Sequence, residues 1–213
     1  MEKIQIFVEG VADQKFFQDL ISAWYNTKLT FGGVQKGMVT NGDIFNVEGK
    51  GVFEDEIKMR LIDPILRFND IKGVKNIFIF DADTFEIESK NFEKYKSQFP
   101  IEHFLLPDNQ SDGDLETLLE QIINQDNLVI FECWNSYENC LKTSKRKEGK
   151  FTTTAQKTKI YAYLEALLGK SKNQKKKIKE AERDYQNTNH WNLNAPALVK
   201  LKQFLDQYFQ KLS

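Results

Sequence analysis

Two aspartates, Asp81 and Asp83, directly follow the apolar run Ile77–Phe80. Because this run has no polar alternation, it predicts a strand buried on both faces of a sheet. The carboxyl end of a parallel strand borders the crevice where open α/β sheets bind ligands. Two residues apart in an extended segment, the aspartates are expected to point the same way and to repel each other unless a cation lies between them. Mg²⁺ or Mn²⁺, which prefer oxygen ligands, are the expected cofactors.

A glutamate ends a second apolar run. Lys3–Val8 also predicts a buried strand, and it leads into Glu9-Gly10, after which Asp13 can open a helix. If the two strands are parallel neighbours, Glu9 lies at the same edge of the sheet as Asp81. Asp81 and Asp83 are therefore the candidate ligands of a divalent metal, and Glu9 is expected to lie beside them.

A further acidic candidate lies in a helix that follows the turn cluster PDNQSD. Glu116 stands beside the apolar stripe of this helix, which is expected to begin at the ligand-binding edge, so Glu116 is a candidate metal ligand. Asp112 and Asp114 are interpreted as helix caps. The plainer alternative for Asp81 and Asp83 is that they are turn or cap residues after a core strand.

Apolar runs and helical periodicities alternate over the first part of the chain. About four strands and four helices are predicted, which requires crossover connections and indicates a Rossmann-like parallel α/β sheet. Residues 29–43 are irregular, with glycines marking turns, and a small hairpin is an alternative there. Beyond residue 125 the pattern becomes helical and basic. We expect a catalytic core over 1–125 and a helical extension over 126–213 packed on it.

The charge distribution indicates a nucleic-acid partner. The net charge is −1, but residues 1–140 carry 13 Lys/Arg against 25 Asp/Glu, whereas residues 141–213 carry 17 against 6. A basic segment beside metal-binding carboxylates suits a phosphodiester substrate. Lys145, Arg146 and Lys147, together with Lys50 in a glycine turn that lacks the Walker A spacing, are the candidate nucleic-acid-binding residues. The alternatives are that the two halves attract each other or that the lysines form a solvated face.

The remaining composition bounds the class of protein. The chain has 213 residues, 40% of them hydrophobic and 29% charged, and no apolar run approaches the length of a membrane span. The N-terminus has no basic and then apolar leader, so a cytoplasmic location is expected. Cys133 and Cys140 lack the spacing of a zinc or redox motif, and buried thiols on one helical face are expected.

Several of these segments resemble a Toprim domain, the metal-binding catalytic module of topoisomerases, bacterial primases and overcoming-lysogenization-defect (OLD) nucleases. The matching pieces are FVEG at residues 7–10, DAD at residues 81–83 and DLETLL at residues 114–119, which resembles the nuclease branch. The resemblance covers roughly residues 1–125, while the C-terminal part resembles an uncharacterised bacterial Toprim-like family. It implies that Glu9 acts as general acid/base or shares metal, and that Asp81 and Asp83 hold the metal.

The chain also departs from these families. It contains no topoisomerase tyrosine domain, no primase zinc motif and no OLD-type ATPase module. A metal-dependent nuclease or phosphodiesterase is therefore the expected function. The alternatives are a Toprim fold that binds nucleic acid or metal without catalysis and needs a separate partner protein, and a haloacid-dehalogenase-like phosphatase with Asp81 as nucleophile and Asp83 as acid/base. A nucleotide-sugar transferase is a weaker alternative, and the oligomeric state stays open.

Overall fold

The computed structural model describes residues 3–147, 149–169 and 171–209. In this part of the chain, six strands form one sheet and two short strands form a separate hairpin. The strands are β1 (Lys3–Val8), β2 (Phe31–Gln35), β3 (Met38–Thr40), β4 (Ile44–Asn46), β5 (Val74–Asp81), β6 (Ile101–Leu106), β7 (Lys145–Arg146) and β8 (Gly149–Lys150). The α-helices are α1 (Val11–Tyr25), α2 (Glu56–Ile71), α3 (Phe85–Lys96), α4 (Leu115–Gln121), α5 (Leu128–Thr143), α6 (Gln156–Leu168), α7 (Lys172–Lys176) and α8 (Val199–Phe209).

The sheet is mostly parallel, in the order β3-β2-β4-β1-β5-β6. Strand β1 pairs in parallel with β4 on one side and with β5 on the other, and only the edge strand β3 is antiparallel. The expected parallel α/β fold is confirmed, with six strands where the sequence indicated about four. The apolar runs of β1 and β5 lack alternation because helices cover both faces of the sheet.

The additional strands come from the irregular segment 29–43. Strands β2 and β3 form an antiparallel hairpin. Its turn consists of Lys36 and Gly37, both with positive φ, and such turns match the twist of paired strands. The hairpin alternative is therefore the correct one, and its first strand continues the sheet beside β4.

Each face of the sheet has its own apolar core. One face is covered by α2 and α3, where Phe7 of β1 stacks on Phe78 of β5 with ring centroids 4.6 Å apart. The other is covered by α1, α4 and the C-terminal helices, where Tyr185 packs edge-on against Phe16 at 5.2 Å. Aromatic pairs of this geometry stabilise a core beyond the area that they bury.

The C-terminal segment belongs to the second of these cores. Ile123, just after α4, forms a β-bridge with Trp191, and the Asn192 backbone N–H donates to the Ile122 carbonyl at 2.7 Å. Leu201 and Leu205 of α8 are fully buried in the same core. Within the described residues, none of the helices has the length and apolar character needed to cross a membrane.

The expectation of buried thiols is wrong. Cys133 and Cys140 are both exposed on α5. Helix α5 buries only Phe131 fully, and its cysteines lie on the side that faces away from the core. The side of α5 that packs on the core carries Phe131 with the half-buried Ile130 and Trp134, so the cysteines lie beside this face and not on it.

We expect His103 of β6 to make stability pH-dependent. Burial, with a contribution from Lys96, lowers the pKa of His103 to about 4, and its ring stacks on Phe92 at 4.6 Å. Below pH 6.5 the unfolded chain takes up a proton that the folded chain refuses until about pH 4, so this contribution to stability is lost as pH falls through that window. Relative to His103→Phe, which keeps the stack, the wild type should lose on the order of 1–2 kcal/mol between pH 7 and pH 4.5 in denaturant titrations. A difference between the two proteins that does not change with pH would contradict this role.

Candidate acidic site

Glu9 and Asp81 meet at the carboxyl edge of the sheet. Glu9 directly follows β1, and Asp81 is the last residue of β5. These two strands are parallel neighbours in which Val8 pairs with Ile79. The Asp81 backbone N–H donates to Glu9 Oε1 at 2.9 Å. The sequence-based expectation that these two acids share one edge of the sheet is therefore realised in the structure.

Asp81 is tied to the start of the acidic helix α4. Its Oδ1 accepts the backbone N–H of Leu115 at 2.8 Å. Asp114 caps the same helix by accepting the Thr117 backbone N–H at 2.7 Å, as its interpretation as a cap required. Anions are favoured at this end of a helix, because the first backbone N–H groups have no partner within it. Asp81 is thus held at a point where three elements of the fold converge.

Asp83 does not point the same way as Asp81. The chain leaves the strand after Asp81, and Asp83 has a φ of 45°, with its backbone N–H donating to the Gly113 carbonyl at 2.7 Å. The alternation of an extended strand therefore ends before Asp83, and that expectation was wrong. The exposed Asp83 carboxylate instead forms an ion pair with Lys50.

Lys50 reaches the site because its loop is hydrogen-bonded to the end of β1. The Gly49 backbone N–H donates to the Glu9 carbonyl at 2.9 Å, and Gly49 has a φ of 107°, which a residue with a side chain rarely adopts. The Lys50 ammonium contacts Asp83 and lies 3.6 Å from Glu88 Oε1. Lys50 thus supplies positive charge to an edge that carries several acids.

Three carboxyl groups with raised pKa values lie at this edge: Asp13 is buried, and Glu9 and Asp81 are half-buried. Burial raises the pKa of Glu9 to about 7, and nearby Asp83 adds to the effect. Burial and the carboxylates of Asp13 and Glu9 raise the pKa of Asp81 to about 9. Asp13, in the first turn of α1, has its pKa raised to about 7 by burial and by Glu9. Keeping these carboxyl groups ionised at neutral pH therefore costs the folded protein stability.

Glu116 borders this cluster from α4. Burial raises the pKa of Glu116, and its carboxylate in turn contributes to the raised pKa of Asp13. We define Glu9, Asp13, Asp81 and Glu116 as the acidic site. Asp83 and Lys50 form an ion pair at its exposed rim.

Arg183 is a buried cation that acts on this arrangement electrostatically. It is 1% exposed, its Nε donates to the Ile178 carbonyl at 3.2 Å, and its charge lowers the pKa of Glu116. Its guanidinium also lies over the Tyr161 ring at 4.9 Å. A buried guanidinium of this kind offsets part of the repulsion around Glu116.

The basic residues of the segment after α5 lie on a different element. Lys145 and Arg146 form strand β7, Lys147 lies in the following turn, and β7 pairs with β8 outside the main sheet. All three are exposed. The structure therefore brings Lys50 to the acids, whereas Lys145, Arg146 and Lys147 form part of a separate basic hairpin.

The acidic site carries the oxygen donors that a hard cation prefers. These donors are not arranged as a complete coordination shell. All its side-chain donors are carboxylate oxygens, which suit Mg²⁺ or Mn²⁺. Within residues 3–147, 149–169 and 171–209, no three His, Cys, Asp or Glu side chains are already arranged around a common metal position. The donor chemistry fits a divalent cation, and side-chain rotation would have to bring the oxygens together.

Sequence reasoning singled out three of the residues that converge here and missed others. The sequence indicates only a helix start at Asp13, although this residue is buried and lies one helical turn after Glu9. Glu88 lies in the first turn of α3, where acids are common as dipole partners. Arg183 has no local signal, since it follows a lysine-rich run and its burial depends on the whole C-terminal packing.

A comparison with known families gives one result for nearly the whole chain. The family described as "Protein of unknown function (DUF3226)" matches residues 3–210. No curated protein and no solved structure gives a significant match to the chain.

We expect removal of one carboxyl group from the acidic site to stabilise the protein without divalent cations and to abolish stabilisation by them. Asp81→Asn keeps an acceptor for the Leu115 N–H but removes a carboxyl group that its surroundings prevent from ionising freely, so its free energy of unfolding at pH 8 should rise by about 1–2 kcal/mol. Mg²⁺ or Mn²⁺ should raise the melting temperature of the wild type but not that of this variant.

Asp112→Asn is the matched control for this measurement. Asp112 is an exposed aspartate that also accepts a backbone N–H, that of Phe85 at 2.8 Å. It should respond to the cations as the wild type does. Equal stabilisation of Asp81→Asn and wild type by the cations would rule out Asp81 as a ligand.

Proposed function

Because the chain belongs to the DUF3226 family, whose function is unknown, we propose its activity from its own geometry: a divalent-metal-dependent nuclease or phosphodiesterase that acts on nucleic acid. The observation that carries the proposal is the hydrogen bond from the Asp81 backbone N–H to Glu9 Oε1. It joins two acids that are 72 residues apart in the chain at the ligand-binding edge of a parallel sheet.

The chemistry follows from the residues around this contact. The carboxylates that would hold Mg²⁺ or Mn²⁺ are those of Glu9, Asp13, Asp81 and Glu116. When bound, such a cation stabilises developing charge on phosphoryl oxygens and orients substrate. Glu9 moves a proton or shares in holding the cation, and Asp81 fixes the geometry through its bond to α4. Lys50 lies at the rim, where its ammonium group can bind the phosphate backbone of a nucleic acid once its ion pair with Asp83 breaks.

The resemblance to Toprim domains supports the same assignment. The FVEG and DAD segments lie on adjacent parallel strands β1 and β5, as a shared Glu plus Asp-x-Asp site requires. In this chain Asp83 stands at the rim with Lys50, so we assign the inner role to Asp81 and Asp13 and a peripheral role to Asp83. At the rim, the Asp83 carboxylate can exchange its ion pair with Lys50 for a contact with a bound divalent cation.

The packing favours this function over an aspartyl-phosphate phosphatase. In that alternative Asp81 would be the nucleophile and Glu9 would have no role, yet Glu9 contacts Asp81 directly.

The direct test is cleavage of supercoiled DNA, single-stranded RNA and a bis-aryl phosphodiester by the purified chain with Mg²⁺, with Mn²⁺ and with chelator. Glu9→Gln, which keeps an acceptor for the Asp81 N–H, and Asp81→Asn should each lower the metal-dependent rate by about 10²-fold or more. The measurement is the initial rate at saturating metal.

Glu86→Gln controls for loss of a carboxylate as such. Glu86 is exposed in α3 and pairs only with Lys90 of its own helix at 2.7 Å among the contacts of the described residues. Its variant should cleave at the wild-type rate. A rate that survives Glu9→Gln and Asp81→Asn unchanged, or that persists in chelator, would end the proposal.

We expect the basic hairpin to contribute to nucleic-acid affinity. Replacing Lys145, Arg146 and Lys147 by alanine should weaken DNA binding and flatten the dependence of log K on log salt by about 0.9 for each phosphate that the protein no longer neutralises. Fluorescence anisotropy across a salt series measures both quantities.

Three exposed lysines of α7 provide the comparison. Alanine at Lys172, Lys175 and Lys176 removes the same charge elsewhere on the C-terminal part. If both triple variants bind DNA with equally reduced affinity, the binding reflects net charge and the hairpin has no specific role.

A further inference from the structure

Helix α5 exposes a stripe of apolar and small residues that no other described part of the chain covers. Of its sixteen residues only Phe131 is buried, while Val129 is 59% and Tyr137 is 46% exposed. Cys133 and Cys140 are exposed on the same side. A helix usually turns its apolar residues inward, and exposed patches of this type mark interaction surfaces.

The spacing of the stripe is that of a helix that packs on another helix. Val129, Cys133, Ser136 and Cys140 recur at intervals of four, three and four residues. This is the a/d pattern of a coiled-coil seam, and small residues at such positions permit close approach of two helices. Phe151, just after the basic hairpin, is a further apolar residue with 41% exposure.

The stripe is complementary to itself when two copies run antiparallel. Val129 then meets Cys140 of the other copy, and Cys133 meets Ser136. A two-fold axis repeats every contact, as a closed dimer requires. Apolar or small side chains therefore face each other along the whole seam.

The charges at the two ends of α5 decide the direction of pairing. Asp126 precedes the helix, whereas Lys142 ends it and Lys145 and Arg146 follow. A parallel pair would bring the basic ends of both copies together, which is repulsive. An antiparallel pair sets Asp126 of one copy beside the basic end of the other and aligns the helix dipoles favourably.

From these observations we propose that the protein forms a two-fold homodimer through antiparallel α5 helices. The partner is a second copy of this chain, and each basic hairpin then lies beside the start of the other copy's α5. The proposal is independent of the catalytic function, because no residue of the acidic site takes part.

A second exposed apolar surface supplies the control. On α2, Ile71 is 81% and Phe68 is 59% exposed. Arg60, Arg67 and Lys72 flank this surface, so two copies of it would bring arginines together. An interface through α2 is therefore the alternative that the experiment must separate from one through α5.

Sedimentation velocity of the full chain under reducing conditions tests the proposal. The wild-type mass should rise with concentration from 24.9 kDa toward twice that value. The double variant Val129→Glu/Tyr137→Glu should stay monomeric, and Ile71→Glu should behave as wild type. A wild type that stays monomeric throughout, or dimers that dissociate in Ile71→Glu but persist in the α5 variant, would overturn it. A circular-dichroism spectrum that matches that of the wild type confirms that each variant is folded.

Oxidative cross-linking tests the register. Val129→Cys combined with Cys133→Ser leaves thiols at positions 129 and 140, which lie about 16 Å apart along one helix and cannot bond within a chain. They should form a covalent dimer on non-reducing gels. Asn135→Cys combined with Cys133→Ser should not, since position 135 lies on the exposed surface of α5 away from the seam. Equal cross-linking of both variants would overturn the antiparallel register.

Discussion

Parallel pairing of β1 with β5 is the constraint on which the site depends. It fixes the ends of two strands that are distant in the chain at one edge of the sheet, where Glu9 accepts the N–H of Asp81. Both strands are buried on both faces, so their register cannot slip without moving apolar residues out of the two cores. The acids are consequently held together by the hydrophobic packing of the fold, against their own electrostatic repulsion.

The repulsion is only partly relieved within the chain. Lys50 neutralises Asp83 at the rim, and the charge of Arg183 lowers the pKa of Glu116. Glu9, Asp13 and Asp81 keep raised pKa values despite these partners. Clusters of titratable groups maintained at such a cost are found most often where a protein binds or reacts. Stability alone would favour neutral side chains at these positions.

Sequence patterns predicted the elements that position this site better than the orientation of its side chains. The apolar run predicted the limits of β1 as they stand in the structure, because its buried carboxyl half leaves a continuous apolar signal. The direction of Asp83 depends on a hydrogen bond to Gly113, thirty residues later, which no local pattern records. Burial of Arg183 and exposure of Cys133 likewise depend on which helices cover which faces. The assignment of metal, substrate and reaction to these residues stays a prediction.

The β-bridge between Ile123 and Trp191 has a consequence for how the chain can be divided. It joins the end of α4, which carries Glu116, to the segment that leads into α8. A fragment ending near residue 125 would leave the Ile122 carbonyl without its partner and would uncover the core side that Trp191, Leu201 and Leu205 fill. Contacts from both halves of the polypeptide therefore position the acidic helix α4. Insertions or truncations in the C-terminal half would shift this helix, and with it the edge where the acids lie.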